Sequence, residues 1–180
     1  MQWYKININD LTEDLYEKYY NLMTNERKEY VSSFKNTDAR KRTVAAEMLI
    51  KNAIGDDNLL ITKDQHGKPF IKDSNKHISI SHSGDYAVCA ISDNPVGIDI
   101  EKLRDINIKA AEKFCNSAEY DYIYAFDSTN RFFEIWTAKE AAFKLCGGKE
   151  KNFKLIDTFN INKQYFRFLD YIVCIATERN

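Results

Sequence analysis

The sequence predicts an α+β fold, and two observations carry that assignment: a helix followed by strand-rich sequence occurs twice, and short stretches repeat in the same order. DYAVCAIS at 85–92 returns as DYIVCIAT at 170–177, and Ala45-Ala46-Glu47 with Lys51 returns as Ala138-Lys139-Glu140 with Lys144. Two copies point to a duplicated unit, since a stacked repeat array needs three or more. With 180 residues, the chain has room for a single domain, 1–180, built in halves.

The elements follow in order. Residues 38–54 place Val44, Ala45, Met48, Leu49 and Ala53 at helical spacing, and Gly55 is a suitable stop. After the turn signal HGKP, His77–Ser81 alternates and Tyr86–Ile91 is a short apolar run. Ser83-Gly84-Asp85 between them reads as the tight turn of an antiparallel hairpin. A further strand over 96–101 is reached across Asp93-Asn94-Pro95, and Ile106–Phe114 and Glu119–Phe126 read as helical. Phe132–Leu145 is the strong helix of the second half, with strands expected at Phe153–Ile161, Tyr165–Leu169 and Tyr171–Ala176.

Composition narrows the function. A formal net charge of −1 argues against a general nucleic-acid binder, which needs a basic surplus to neutralise phosphates. The start, MQWYKININD, lacks the basic and apolar regions of a leader, and no run approaches the roughly 20 apolar residues of a membrane span, so a cytoplasmic protein is expected. The four cysteines have neither zinc-site nor redox-motif spacing and read as buried reduced thiols.

Chemistry concentrates in a few short motifs. In GIDIE at 97–101, Ile98 and Ile100 would face a core while Asp99 and Glu101 share the opposite face, about 7 Å apart at a rise of about 3.3 Å per residue. That spacing suits a hard cation such as Mg²⁺, although alternating strands also expose acids to plain solvent. On the second helix Trp136, Glu140 and Lys144 stand four residues apart and share a side, as a partly dry site or as core and surface ion pair. His82 between Ser81 and Ser83, with Lys68 in the preceding turn, offers hydroxyl, imidazole and ammonium donors to a phosphate. A Ser-His nucleophile fits less well, because adjacent strand side chains diverge and no nucleophile elbow is present.

GKP at 67–69, ISHSG at 80–84, VGIDIEK at 96–102 and WTAKEAAFK at 136–144, in this order and at these separations, resemble the phosphopantetheinyl transferases of the type that activates peptide synthetases. The resemblance spans most of the chain. It implies two α+β lobes related by a pseudo-twofold axis, each a helix packed on a small antiparallel sheet, expected at about 1–101 and 102–180. It also implies transfer of the phosphopantetheine arm of coenzyme A to a serine of an acyl or peptidyl carrier protein, with Mg²⁺ on the diphosphate and release of adenosine 3′,5′-bisphosphate.

By position, the resemblance makes Asp99, Glu101 and Glu140 the metal carboxylates. Lys144 and Lys139 would meet the phosphates, His82 and Thr43 the 3′-phosphate, and Lys68 and Ser81 the nucleotide end, with Arg27 and Arg42 as further nucleotide contacts. Glu140 is the first choice to take the serine proton and Glu119 the second. Two departures stand out: Gly147-Gly148-Lys149-Glu150 replaces the Gly-x-Gly-Leu that often follows the lysine, and Tyr30 stands where a second basic nucleotide contact can occur. The chain is also expected to lack the C-terminal extensions of longer relatives and to work as a monomer without nucleic-acid or membrane partners. A non-catalytic carrier-binding relative and a metal-dependent phosphohydrolase are the competing functions.

Overall fold

The computed structural model describes residues 1–178. The first half runs through strand β1 (Gln2–Asn7), helices α1 (Glu13–Asn21), α2 (Asn25–Ser33) and α3 (Thr37–Ile54), short strands β2 (Ile61–Lys63) and β3 (Pro69–Ile71), and the hairpin strands β4 (His77–Ser83) and β5 (Tyr86–Ser92). The second half comprises β6 (Val96–Lys102), α4 (Ser117–Ala125), α5 (Ser128–Leu145) and the hairpin strands β7 (Asn162–Phe168) and β8 (Tyr171–Thr177). No helix among the described residues is long and apolar enough to cross a membrane.

Two antiparallel three-stranded sheets share one plan, β1-β5-β4 and β6-β8-β7, with β2–β3 a separate ladder. In each, the first strand of the half pairs with the second strand of its hairpin, so the two repeated stretches become the two central strands, β5 and β8. This α+β arrangement carries one change to the expected halves. The strand at 96–101, expected to close the first half, is hydrogen-bonded throughout to β8, so the division between the sheets falls at Asp93–Pro95 rather than at 101/102.

The sheets meet through Val88 and Ala90 of β5, Val96, Ile98 and Ile100 of β6, and Val173 and Ile175 of β8, all essentially without exposure. Alternate residues of the same strands face outward: Ala87 packs with Val44, Ala45 and Met48 of α3, and Cys174 and Ala176 pack with Ala138 and Ala141 of α5. This period-two division is what makes near-continuous apolar runs of the two central strands. Helix α3 begins at Asn36, whose side chain accepts from the Ala39 amide, and stops at Gly55 with φ 80°, which glycine reaches without steric cost.

Gly97 sets how closely α5 lies on β6. A Cβ there would collide with the Ala141 carbonyl oxygen and come within 2.6 Å of the Leu145 amide nitrogen. The absent side chain lets helix and strand touch backbone to backbone.

Two sequence expectations are corrected by the structure. Phe153–Ile161 is not a strand but two 3-10 turns, Phe153–Leu155 and Thr158–Asn160. Its backbone groups are taken by buried side chains: Lys139 Nζ donates to the Phe153 and Ile156 carbonyls at 2.7 and 2.6 Å, and Glu119 accepts from the Thr158 amide at 2.9 Å. Likewise the helix expected over Ile106–Phe114 is a 3-10 stretch, Ile108–Lys113. Of the cysteines, Cys89, Cys115 and Cys174 are buried as expected, whereas Cys146 is exposed.

Candidate functional site

Strand β4 lies against β6 without a strand-to-strand ladder, and its serines make the joint. Ser79, Ser81 and Ser83 share one face of β4 at two-residue spacing. Ser79 Oγ accepts from the Ile98 amide at 3.0 Å and Ser83 Oγ from the Lys102 amide at 3.1 Å. Hydroxyls thus satisfy edge amides of β6 that no strand reaches. The same row holds the acids: Ser81 Oγ donates to Asp99 Oδ1 at 2.7 Å, and Ser83 Oγ to Glu101 Oε2 at 3.1 Å.

Helix α5 closes over these carboxylates from the second half. Lys144 Nζ donates to Asp99 Oδ1 at 2.7 Å and to Ser81 Oγ at 2.9 Å, and Trp136 Nε1 donates to Glu101 Oε1 at 3.0 Å. Asp99 is 5% exposed, so the solvated reading of this strand face is excluded for it. Burial pushes its carboxyl above the usual range against the opposing pull of Lys144 and Ser81. Its second oxygen, Oδ2, is buried with no hydrogen-bond partner. Burial also raises Glu140, as do the charges of Asp99 and Glu101 on the neighbouring strand, against the contrary charge of Lys144.

A cavity of about 470 Å³ opens along this seam, lined from both halves. Asp99, Glu101, Glu140, Lys144, Ser81, His82, Lys68, Thr43 and Arg27 all face it. Most of the expected constellation is therefore brought together. Arg27 is already committed, its Nε on Glu47 at 3.3 Å with both side chains buried. Lys68 donates to the Leu145 carbonyl at 3.1 Å, and burial lowers its pKa. His82 is pushed below its ordinary value by desolvation first and then by the positive charges of Arg42 and Lys144.

Three expected residues lie off the cavity. Lys139 is fully buried beneath α5, 2.7 Å from Glu119 Oε2, with its other protons on two carbonyls. Glu119 is equally buried, closing the capping box of α4 and accepting from both the amide and hydroxyl of Thr158. Neither side chain can touch a cleft ligand, so the phosphate role of Lys139 and the proton-accepting role of Glu119 are withdrawn in favour of a structural ion pair. Position in the helix decides this: Lys139 follows Ala138 onto the face toward the turns, one residue away from the face that Glu140 shares with Lys144. Arg42 spends Nη1 on the Gly84 carbonyl at 2.8 Å and bears on the site only through its charge on His82.

The sequence missed Lys63 and Phe143 in the cavity wall and the bridging part of Ser79 and Ser83. The ISISHS alternation marked a polar strand face, but nothing local indicated that a second sheet would receive it. Both departures from the motif pattern also border the cavity: Gly147 and Gly148 line it, and so does Tyr30.

The family model of the 4′-phosphopantetheinyl transferase superfamily matches residues 95–175, the span from β6 to β8. The chain is 37% identical over 69% of its length to the 4′-phosphopantetheinyl transferase gsp of Aneurinibacillus migulanus, covering 56% of that protein. It is 30% identical over 84% of its length to the 4′-phosphopantetheinyl transferase Sfp of Bacillus subtilis (strain 168), covering 71% of it. The 4′-phosphopantetheinyl transferase psf-1 of Bacillus pumilus is 36% identical over 61% of the chain, with 51% of its own length covered. The chain thus spans about half to seven tenths of the length of these three relatives. Extended similarity across both halves, with the four motifs meeting at one seam, means that the chain belongs to the 4′-phosphopantetheinyl transferase superfamily.

Proposed function

We propose that this chain transfers the 4′-phosphopantetheine arm of coenzyme A to a serine hydroxyl of an acyl or peptidyl carrier protein, with Mg²⁺, releasing adenosine 3′,5′-bisphosphate. The observation that carries the reading is the convergence of Asp99, Glu140, Lys144, Ser81 and His82 on one cavity between the two halves. A metal-binding acid group beside ammonium and imidazole donors suits a diphosphate substrate.

The carboxylates fit magnesium by chemistry rather than as a finished cage. Among the described residues no three acidic, histidine or cysteine side chains form a ready metal cluster. Mg²⁺ commonly takes only one or two carboxylates and fills its shell with water and phosphate oxygens. Asp99, with its unpaired buried Oδ2, and Glu101 and Glu140 beside it would hold the ion. When bound it would neutralise charge on the diphosphate.

The chain's own groups do the rest. The carrier serine Oγ forms a bond to the β-phosphorus, the bridging P–O bond breaks, and the electron pair leaves with the bisphosphate. Glu140, which lines the same cavity, takes the serine proton. Lys144 leaves a pairing with one carboxylate for the phosphate oxygens, where charge grows during transfer. Lys68 and His82 orient the nucleotide end, and Thr43 and Arg27 border it. We place the enzyme in the cytoplasm and treat one chain as sufficient, since both walls of the cavity come from it.

Mass spectrometry of an apo carrier mixed with this protein, coenzyme A and Mg²⁺ tests the reading. The carrier should gain the mass of the arm on one serine. An unmodified carrier with bound protein would make the chain a non-catalytic binder, and bisphosphate released without a carrier would make it a phosphohydrolase. Either outcome overturns the proposal.

A further inference from the structure

We infer that Lys63, outside every motif of the family, is a phosphate-contacting residue of this enzyme: carried on the ring of Tyr30, it meets the 3′-phosphate of coenzyme A. The inference rests on the proposed reaction and names a contact that the reaction alone does not require. Strands β2 and β3 form a small hairpin whose lip, from Lys63 through His66, Gly67 and Lys68 to Pro69, lines the cavity. Asp64 fixes this lip by accepting from the His66 and Lys68 amides at 2.8 and 2.9 Å.

The state of each cation in the cavity wall sets Lys63 apart. Arg27 is neutralised by Glu47, Lys144 by Asp99, and Lys68 is bonded to the Leu145 carbonyl. Among the described residues Lys63 has neither an acid nor a carbonyl partner. Its ammonium lies 3.9 Å from the centroid of the Tyr30 ring, and the Arg27 guanidinium lies 5.4 Å from the same centroid. A ring face holds an ammonium in place without neutralising it. Two cations gathered on one neutral ring, one of them half-buried and uncompensated, form a site waiting for an anion.

The anion is identified by the place of this wall. Tyr30, Lys63, Arg27 and Thr43 belong to the first half, whereas the metal-type carboxylates and Lys144 belong to the second. A substrate with its diphosphate at Lys144 has one further phosphate, the 3′ group of its ribose, to offer the first half. A tyrosine at position 30 is therefore not a lost contact. The ring moves the positive charge onto Lys63, from a strand about thirty residues later in the chain.

The test is calorimetric binding of coenzyme A and of 3′-dephospho-coenzyme A to the wild-type chain, Lys63→Met and Tyr30→Ala, each with circular dichroism to establish folding. A lost charge-assisted phosphate contact should raise the Kd of Lys63→Met for coenzyme A about tenfold or more. The Kd for the dephospho compound should stay within about twofold of wild type, because it has no group to lose. Adding Lys63→Met to Tyr30→Ala should cost less than in the wild type, because the ring no longer holds the ammonium. Equal losses for both ligands would overturn the 3′-phosphate assignment, and an unchanged Kd for coenzyme A would overturn the contact itself. Wild-type protein that fails to bind coenzyme A would instead sink the proposed reaction, and this inference with it.

Discussion

Gly97→Ala offers a direct test of how the site is assembled. Gly97 is an ordinary extended strand residue with no positive φ, so alanine can adopt its backbone and the effect of the change is steric. The new Cβ would stand 2.6 Å from the Leu145 amide nitrogen and closer still to the Ala141 carbonyl. Normal contact needs about 3.5 Å, so α5 must back away from β6 by roughly 0.9 Å at Leu145. Both obstacles are backbone and cannot rotate aside. Overpacking of this kind costs about 1–3 kcal/mol, offset by about 0.4–1 kcal/mol from the stiffer unfolded chain, which leaves about 1–2 kcal/mol. For a chain of this size that lowers Tm by about 2–8 °C. Glu140 and Lys144 adjoin Ala141 and Leu145, so the same displacement moves Lys144 off Asp99 and carries Glu140 with it. A 1 Å misplacement of reacting groups costs about 10²-fold, and transfer to an apo carrier should fall by that order. Thermal melts followed by circular dichroism, with turnover read by mass spectrometry below Tm, measure both. A variant with Tm within a degree of wild type and full turnover would refute the backbone contact as the device that sets the site.

Other outcomes follow from single side chains. Asp99→Asn should cost transfer about 10² to 10³-fold, the scale of one lost electrostatic contact. Because burial raises the Asp99 pKa, its ionised form weakens the folded state as pH rises through that raised value, so the neutral amide should leave Tm at pH 7 unchanged or higher. A fall of several degrees would refute this. Lys139→Met should instead destabilise by about 3–5 kcal/mol, since it strands the Glu119 charge in a fully buried place, and denaturant melts will read it. An unchanged midpoint would restore Lys139 to the candidate ligand contacts. His82 has a lowered pKa, so it is mostly neutral at pH 7 in the free protein, and an adjacent phosphate would raise it. Coenzyme A should therefore bind with proton uptake and more tightly as pH falls toward the free value. Calorimetry in buffers of different ionisation enthalpy should show that uptake in wild type and lose it in His82→Ala; uptake that persists in the variant would exclude the histidine.

The sequence by itself determined the α+β class, the two long helices, the first hairpin, the two strands of the second and the duplicated plan, because each rests on local signals: a 3.6-residue period closed by Gly55, and apolar runs bounded by turn residues. It also determined the residue types of the site, since Asp99, Glu101, Glu140, Lys144 and His82 sit in motifs whose spacing survives in the linear chain. Which neighbours these residues would meet was decided only by tertiary structure. Lys139 and Glu140 are adjacent in sequence, yet the turn of one helix sends Lys139 to a buried acid 20 positions earlier and Glu140 to the cavity. Strand β6 follows the first hairpin but joins the second sheet, because β8, the partner that completes its ladder, lies more than seventy residues ahead. The serine row of β4 reads as a polar face until β6 is laid against it, and Lys63 has no local signal at all until Tyr30 is beneath it. Local periodicity fixes which face of an element is apolar. Contacts between distant elements form only when two such faces are buried together, and no short stretch of sequence carries that information.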